Sequence, residues 1–308
     1  MSDGRSSDRS ASGAFSSARG ALAIGAGAAL WGLFWIPLRH LDTSGIGGLW
    51  SVALVGAAAL LPALAFAAYR GELAALARRD VRLVGATLGL SGVLYFAGVL
   101  HSDVVRVVLL FYLLPVWTIL AARVLHGEPI RVHHVVVIAA AFLGLWLLLG
   151  GGARLPLPRD AGDACGLAAG MCWGIGLALL RGRAGTPPYA STFAALLVMT
   201  TLAGGAATAL GMLLPEAAAP PPRGDAAWRA LPLALGFGVP VLFPALLGQI
   251  WGARQVSAAT ASLLTMTEIL VATLSAWWLI GTTLDAMAFA GGALIVAAVL
   301  LDLVRQRT

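Results

Sequence analysis

Apolar runs of about twenty residues make up nearly all of this chain, and their length limits what it can fold into. "LLTMTEILVATLSAWWLIG", from Leu263 to Gly281, is one of them, and its single ionisable side chain is Glu268. A helix of about 20 residues crosses the ~30 Å hydrocarbon core of a bilayer. In hydrocarbon the backbone polar groups must be satisfied internally, which a helix does by itself. Ten such runs are expected, at about 20–38, 47–69, 82–100, 104–123, 133–151, 162–181, 192–214, 229–250, 258–280 and 286–304. Composition agrees: 59% of residues are hydrophobic and 11% charged, where a soluble domain is nearer about half and a quarter. The fold class expected is therefore an all-α integral membrane protein.

The formal charge of +6 comes from arginine alone, since the chain has no lysine. The arginines lie mostly between the apolar runs, so the partner they imply is the lipid bilayer and not nucleic acid. Residues 1–19 are Ser-rich and without periodicity, and are expected to form a disordered cytoplasmic tail. The run after it lacks a small-x-small cleavage site and is expected to be the first membrane helix, not a signal peptide. Cys165 and Cys172 lie seven residues apart on one expected helix and cannot pair with each other.

An internal duplication is visible. Trp31, Gly32 and Arg39 recur as Trp173, Gly174 and Arg181 at an offset of 142. Further on, Gly98, Leu109, Leu110 and Gly127 recur as Gly252, Leu263, Leu264 and Gly281 at an offset of 154. The extra residues fall in the region of "PEAAAPPPRGDAAW", where three successive prolines cannot continue a helix. Units of five helices, at 20–151 and 160–304, must be inverted in the membrane because five is odd. With the N-terminus inside, 14 arginines fall on the inner side and 6 on the outer side. This asymmetry favours both termini in the cytoplasm, and inverted repeats place a substrate site near the midplane between them.

With these features the chain resembles the drug/metabolite transporter superfamily, and the EamA family within it. The segment "HSDVVRVVLLFYLLPVWTILAARVLHGEPI" holds a fourth-helix Pro115 followed by Gly127 and Glu128, and both repeats open with a Trp-Gly pair. The likeness covers about 20–304. The second repeat departs from the pattern, with Glu268-Ile269 in place of Glu-Pro and Gly281-Thr282 in place of Gly-Glu. Roles tied to that proline and that terminal acid therefore do not carry over. The resemblance implies transport of small organic solutes, often export, and a cavity lined by helices one, three, four, six, eight and nine. Richness in Arg, Ala, Gly and Pro suggests a bacterial genome, so a bacterial cytoplasmic membrane is the expected location.

Several polar and aromatic residues are candidate substrate contacts. Glu268 lies near the midplane, where an acid costs about 2.5–3.5 kcal/mol to insert. It is expected to act as a counter-charge for a cation or as a proton carrier, with protons the coupling ion, or else to bond a neighbouring helix. Arg106 is expected either to clamp an anionic group or to snorkel to headgroups, and Asp103 to pair with it. A zwitterion held between Glu268 and Arg106 would suit an amino acid. Tyr95 and Gln249 are repeat mates that could line a cavity or bond between helices. Trp31, Trp35, Tyr112, Trp117 and Trp173 offer aromatic surface or serve as packing. Pro115 is expected to kink the fourth helix at a gating position.

Enzyme classes find little support. Ser91 in "GLSG" would need a histidine base, and His101 lies ten residues on, roughly 15 Å along a helix. No phosphate-binding loop, Cys/His metal cluster or EF-hand spacing is present, so no cofactor or metal is expected. A secondary transporter of small organic metabolites, working by alternating access, leads. A passive channel or facilitator and a non-transporting membrane assembly subunit are the alternatives.

Overall fold

In the computed structural model the chain is helical, and the structure describes residues 4–151, 157–181, 183, 185–216 and 218–305. The first crossing consists of α1 (Gly4–Trp31) and α2 (Trp35–Thr43). α1 begins within the Ser-rich segment expected as a tail, and the apolar stretch of membrane length runs from Ser17 to Thr43 through both helices. Residues 1–3 of that tail lie outside the described residues. The second and third crossings are α3 (Leu49–Tyr69) and α4 (Arg79–His101). The fourth is split into α5 (Val104–Phe111) and α6 (Leu114–His126), and the fifth is α7 (Val132–Leu148).

In the second unit α8 (Ala161–Leu180) and α9 (Pro188–Leu213) form the sixth and seventh crossings. The eighth joins α10 (Gly224–Phe237) to α11 (Phe243–Ala253) through one π-helical turn that contains Pro240. The ninth is α12 (Ala258–Thr265) with α13 (Thr267–Ile280), and the tenth is α14 (Ala286–Arg305). Nine of these crossings among the described residues are long and apolar enough to span a membrane. The fifth is a shorter apolar helix of 17 residues that ends in a turn at Leu149.

The duplication is written into the helix ends. α5, α6 and α7 start or stop at Val104, Phe111, His126 and Val132, and α12, α13 and α14 do so at Ala258, Thr265, Ile280 and Ala286, each 154 residues later. Asp103 caps α5 by accepting the Arg106 N–H at 2.9 Å, and its mate Ser257 caps α12 by accepting the Thr260 N–H at 3.1 Å. Gly127 and Gly281 close α6 and α13 with φ of +69° each, a left-handed conformation that glycine adopts at little cost. Helix contacts obey the same symmetry. The first crossing packs on the eighth and the third on the sixth, while second meets seventh, fourth meets ninth and fifth meets tenth.

Four crossings are broken, each for a local reason. Pro115 has no N–H for the Phe111 carbonyl, so α5 ends there and α6 restarts at Leu114. The expected kink takes the form of a two-residue turn, Tyr112 and Leu113, between α5 and α6. The ninth crossing breaks at the same register with no proline. There the Thr265 and Thr267 hydroxyls bond the Ala261 and Leu264 carbonyls at 3.0 and 2.7 Å, a competition that bends helices. Pro37 likewise leaves the Leu33 carbonyl without its i+4 donor, and Leu33, Phe34 and Ile36 turn through i→i−3 bonds.

Crossing six carries glycines at 162, 166, 170 and 174, one per helical turn. A Cβ at Gly166 or Gly170 would strike the backbone of Val107 or Phe111 in crossing four. Small residues on that face let the two backbones touch. Ion pairs join the same two crossings at both ends: Arg106–Asp163 at 2.9 Å at one, Arg181–Glu128 at 3.0 Å at the other. Ser91 donates its hydroxyl to the Ala169 carbonyl at 2.7 Å, a bond between crossings three and six. Cys165 and Cys172 are free thiols.

Candidate functional site

A cavity of about 370 Å³ lies where crossings one, two, three, four and nine converge. Its mouth is formed by Leu38, Asp42, Gly48, Leu100 and Val104, all at one end of the bundle. Its floor reaches Trp31, Tyr95, Phe96 and Glu268. The walls are mostly apolar and aromatic, as ligand sites usually are. The breaks in crossings one and nine create this space. They bring Gly32 against the Glu268 carbonyl, where any larger residue would push the helices apart.

Glu268 is 7% exposed and makes no hydrogen bond or ion pair among the described residues. The alternative of an acid bonded to a neighbouring helix is thus not what the geometry shows. Among the described residues, Asp42 is the other carboxylate on the cavity wall, and the Tyr95 phenol lies there too. The cavity is electrostatically suited to a cation or to a proton on the acid itself.

The aromatic residues form one continuous belt around this acid. Trp173 lies 5.8 Å from Trp31, Trp31 is 5.6 Å from Phe34, and Phe34 is 5.3 Å from Phe96. Tyr95 joins Phe96 at 5.4 Å and Phe111 at 4.8 Å, and Phe111 meets Tyr112 at 5.1 Å. Edge and tilted contacts of this kind add about 0.5–1.5 kcal/mol per pair beyond burial. Trp35 lines the cavity and donates from Nε1 to Ser275 Oγ at 3.0 Å, tying crossing one to crossing nine.

Other sequence candidates lie elsewhere. Arg106 does not line the cavity: its guanidinium bonds Asp163 at 2.9 Å, Ser102 at 3.1 Å and Asp160 at 3.2 Å. Asp103 is not its ion partner but the cap of its helix. The pairing of Glu268 with Arg106 across one zwitterion therefore finds no support in the geometry. Asp160 has its carboxyl held below the ordinary range, first by the Asp163 N–H it accepts and next by Ser102. Gln249 is buried behind the cavity, where its carbonyl accepts from Thr265 Oγ1 at 3.1 Å. Tyr112 is buried at the end of the belt, and the residue also borders an apolar groove between crossings four and five. Trp117 lines neither space, and its Nε1 makes no hydrogen bond among the described residues.

Sequence reasoning missed Phe34, Phe96, Ser51 and Asp42, which line the same cavity. Phe34 carried a signal, since it lies three residues from Trp31 in the same run. Ser51 carried one too, as a hydroxyl inside an apolar span. Nothing in the sequence singled out Phe96 or Asp42.

The model of the EamA-like transporter family matches this chain twice, over residues 18–150 and 160–303. An "Uncharacterized transporter" of Archaeoglobus fulgidus is 29% identical over 209 residues, which cover 67% of this chain and 70% of that protein. A crystal structure of a protein 20% identical in sequence superposes with a TM-score of 0.68, over 97% of this chain and 99% of that one. That last likeness speaks for the fold alone. Two matched repeats spanning nearly the whole chain, with the ten-crossing architecture described above, make this multi-pass membrane protein a transporter and a member of the EamA-like transporter family.

Proposed function

We propose that this protein is a secondary transporter of small organic metabolites carrying a cationic or amine group, such as amino acids and related amphiphiles. The single observation behind this is the aromatic cavity of about 370 Å³ with an unpaired buried carboxylate, Glu268, at its floor. An ammonium group approaching Glu268 gains a counter-charge in a water-poor site and aromatic faces around it. The walls accept the apolar remainder of the solute. When the site is empty a proton neutralises the acid, which makes protons the candidate coupling ion. Export fits the family's habit, in a bacterial cytoplasmic membrane with both termini inside.

The two breaks in crossings four and nine supply hinges at matching registers. Crossings four and six, laced at both ends, behave as one unit. Motion then concentrates where crossings one and nine meet beside Glu268, so that the cavity closes at its mouth and opens toward the other end.

The test is solute flux in proteoliposomes, offered a mixed amino-acid and metabolite pool. The wild-type protein should move amine-bearing solutes with a rate that depends on pH. Glu268→Gln, which keeps shape and removes charge, should lower the rate at least tenfold and flatten the pH profile. An unaltered rate and profile in that variant would remove Glu268 from the mechanism. A conductance that is independent of solute would favour a channel instead.

A further inference from the structure

At the opposite end of the bundle from the cavity mouth, crossings five and ten bring two adjacent histidines against an acid far away in sequence. His133 and His134 stand at the start of α7, and Asp302 lies near the end of α14. One potential ligand atom from each lies within 4.8 Å of the other two. The two imidazole rings are 4.0 Å apart, and Asp302 is 1% exposed. His134 is half-buried, and its Nδ1 makes no hydrogen bond among the described residues. Asp302 is steadied from behind: Thr260 Oγ1, at the start of crossing nine, donates to its Oδ2 at 2.6 Å. Arg131 and Glu128, of opposite sign, also act on His134.

We propose that His133, His134 and Asp302 form a binding site for one divalent transition-metal ion of the zinc type. Two imidazoles and a carboxylate are a donor set that such ions take, with a fourth position left for water. Bonds of about 2.0–2.2 Å need the donors closer together than they now stand, and rotation of the side chains supplies the closure. A carboxylate held by a hydroxyl behind it is the kind of outer support that metal ligands carry. Hard cations such as Mg2+ prefer an all-oxygen shell and are not expected to compete. Bound metal would pin crossing five of the first repeat to crossing ten of the second. Through Thr260 it would also hold the start of crossing nine, the helix that carries Glu268.

The test is titration of ZnCl2 into the purified full chain, without a histidine tag, in detergent micelles. Calorimetry and elemental analysis of the dialysed protein read the result. One saturable zinc per chain is expected, at least tenfold weaker in the double variant His133→Ala/His134→Ala and undiminished in His126→Ala, whose ring bonds the Ala178 carbonyl. Thr260→Val should keep the fold and weaken binding by about tenfold, as loss of outer support does. Size-exclusion profiles confirm that each variant is folded. The site is refuted by an absence of saturable zinc in the wild type, by full binding in the double variant, or by equal competition from Mg2+.

Discussion

Asp163 and Glu128 both take an arginine across the repeat boundary, yet burial gives them different weight. Asp163 is 0% exposed in its side chain, and Arg106 with Ser102 satisfies it. Removing the partner of a buried charge is costly because the remaining ion stays desolvated, although Ser102 and the Arg159 N–H still bond Asp163. Glu128 and Arg181 are about a third exposed, where an ion pair is worth about 0–1 kcal/mol. Arg106→Ala should therefore lower the unfolding temperature in micelles markedly, while Arg181→Ala should barely move it. Equal shifts would show that the two pairs are equally solvated. Arg106→Lys should cost stability too, because one ammonium cannot reproduce the fork on Asp163. The apparent KM for solute should stay unchanged, which flux measurements at several concentrations would check.

Crossings four and nine show how two sequences reach one shape. The fourth breaks because Pro115 cannot donate, and Gly170 gives the Phe111 carbonyl room beside crossing six. The ninth breaks at the same place through threonine hydroxyls. Pro115→Ala should nonetheless keep most of the flux, since close packing of Phe111 on Gly170 of crossing six also holds the break open. A loss of more than tenfold at equal expression would mean that the proline itself makes the hinge. Gly170→Leu is the harsher change. It should prevent stable folding, because overpacking by even a few methylenes costs about 1–3 kcal/mol and here the obstacle is backbone. A normal melting profile in that variant would contradict the close contact of crossings four and six.

The whole molecule rests on an arginine asymmetry and on inversion of its two units. A reporter fused after Thr308, which lies outside the described residues, should read cytoplasmic. An external reading would reverse the sidedness of the cavity mouth, although the pairing of helices would stand. Two-fold symmetry in that pairing does not extend to the site. The cavity gathers at crossings one and nine, while the equivalent partners four and six are closed by glycines and ion pairs. Duplication followed by such specialisation leaves one movable seam in a symmetric scaffold.

By itself the sequence determined the membrane spans, the duplication and the buried acid, because these follow from local quantities. Twenty apolar residues must be helical in hydrocarbon, and Glu268 is conspicuous in its run whatever surrounds it. The repeat register was legible because Gly127 and Gly281 cap helices by their own backbone freedom. What only the tertiary structure decided is which polar groups meet. Arg106 had an even choice between substrate and lipid in the sequence, and it turned to Asp163 and Asp160, more than fifty residues away. Phe96 and Asp42 entered the cavity for the same reason, and His134 came to lie beside Asp302. Hydropathy fixes depth along a helix, but rotation about its axis and choice of neighbour are set by packing among all ten crossings.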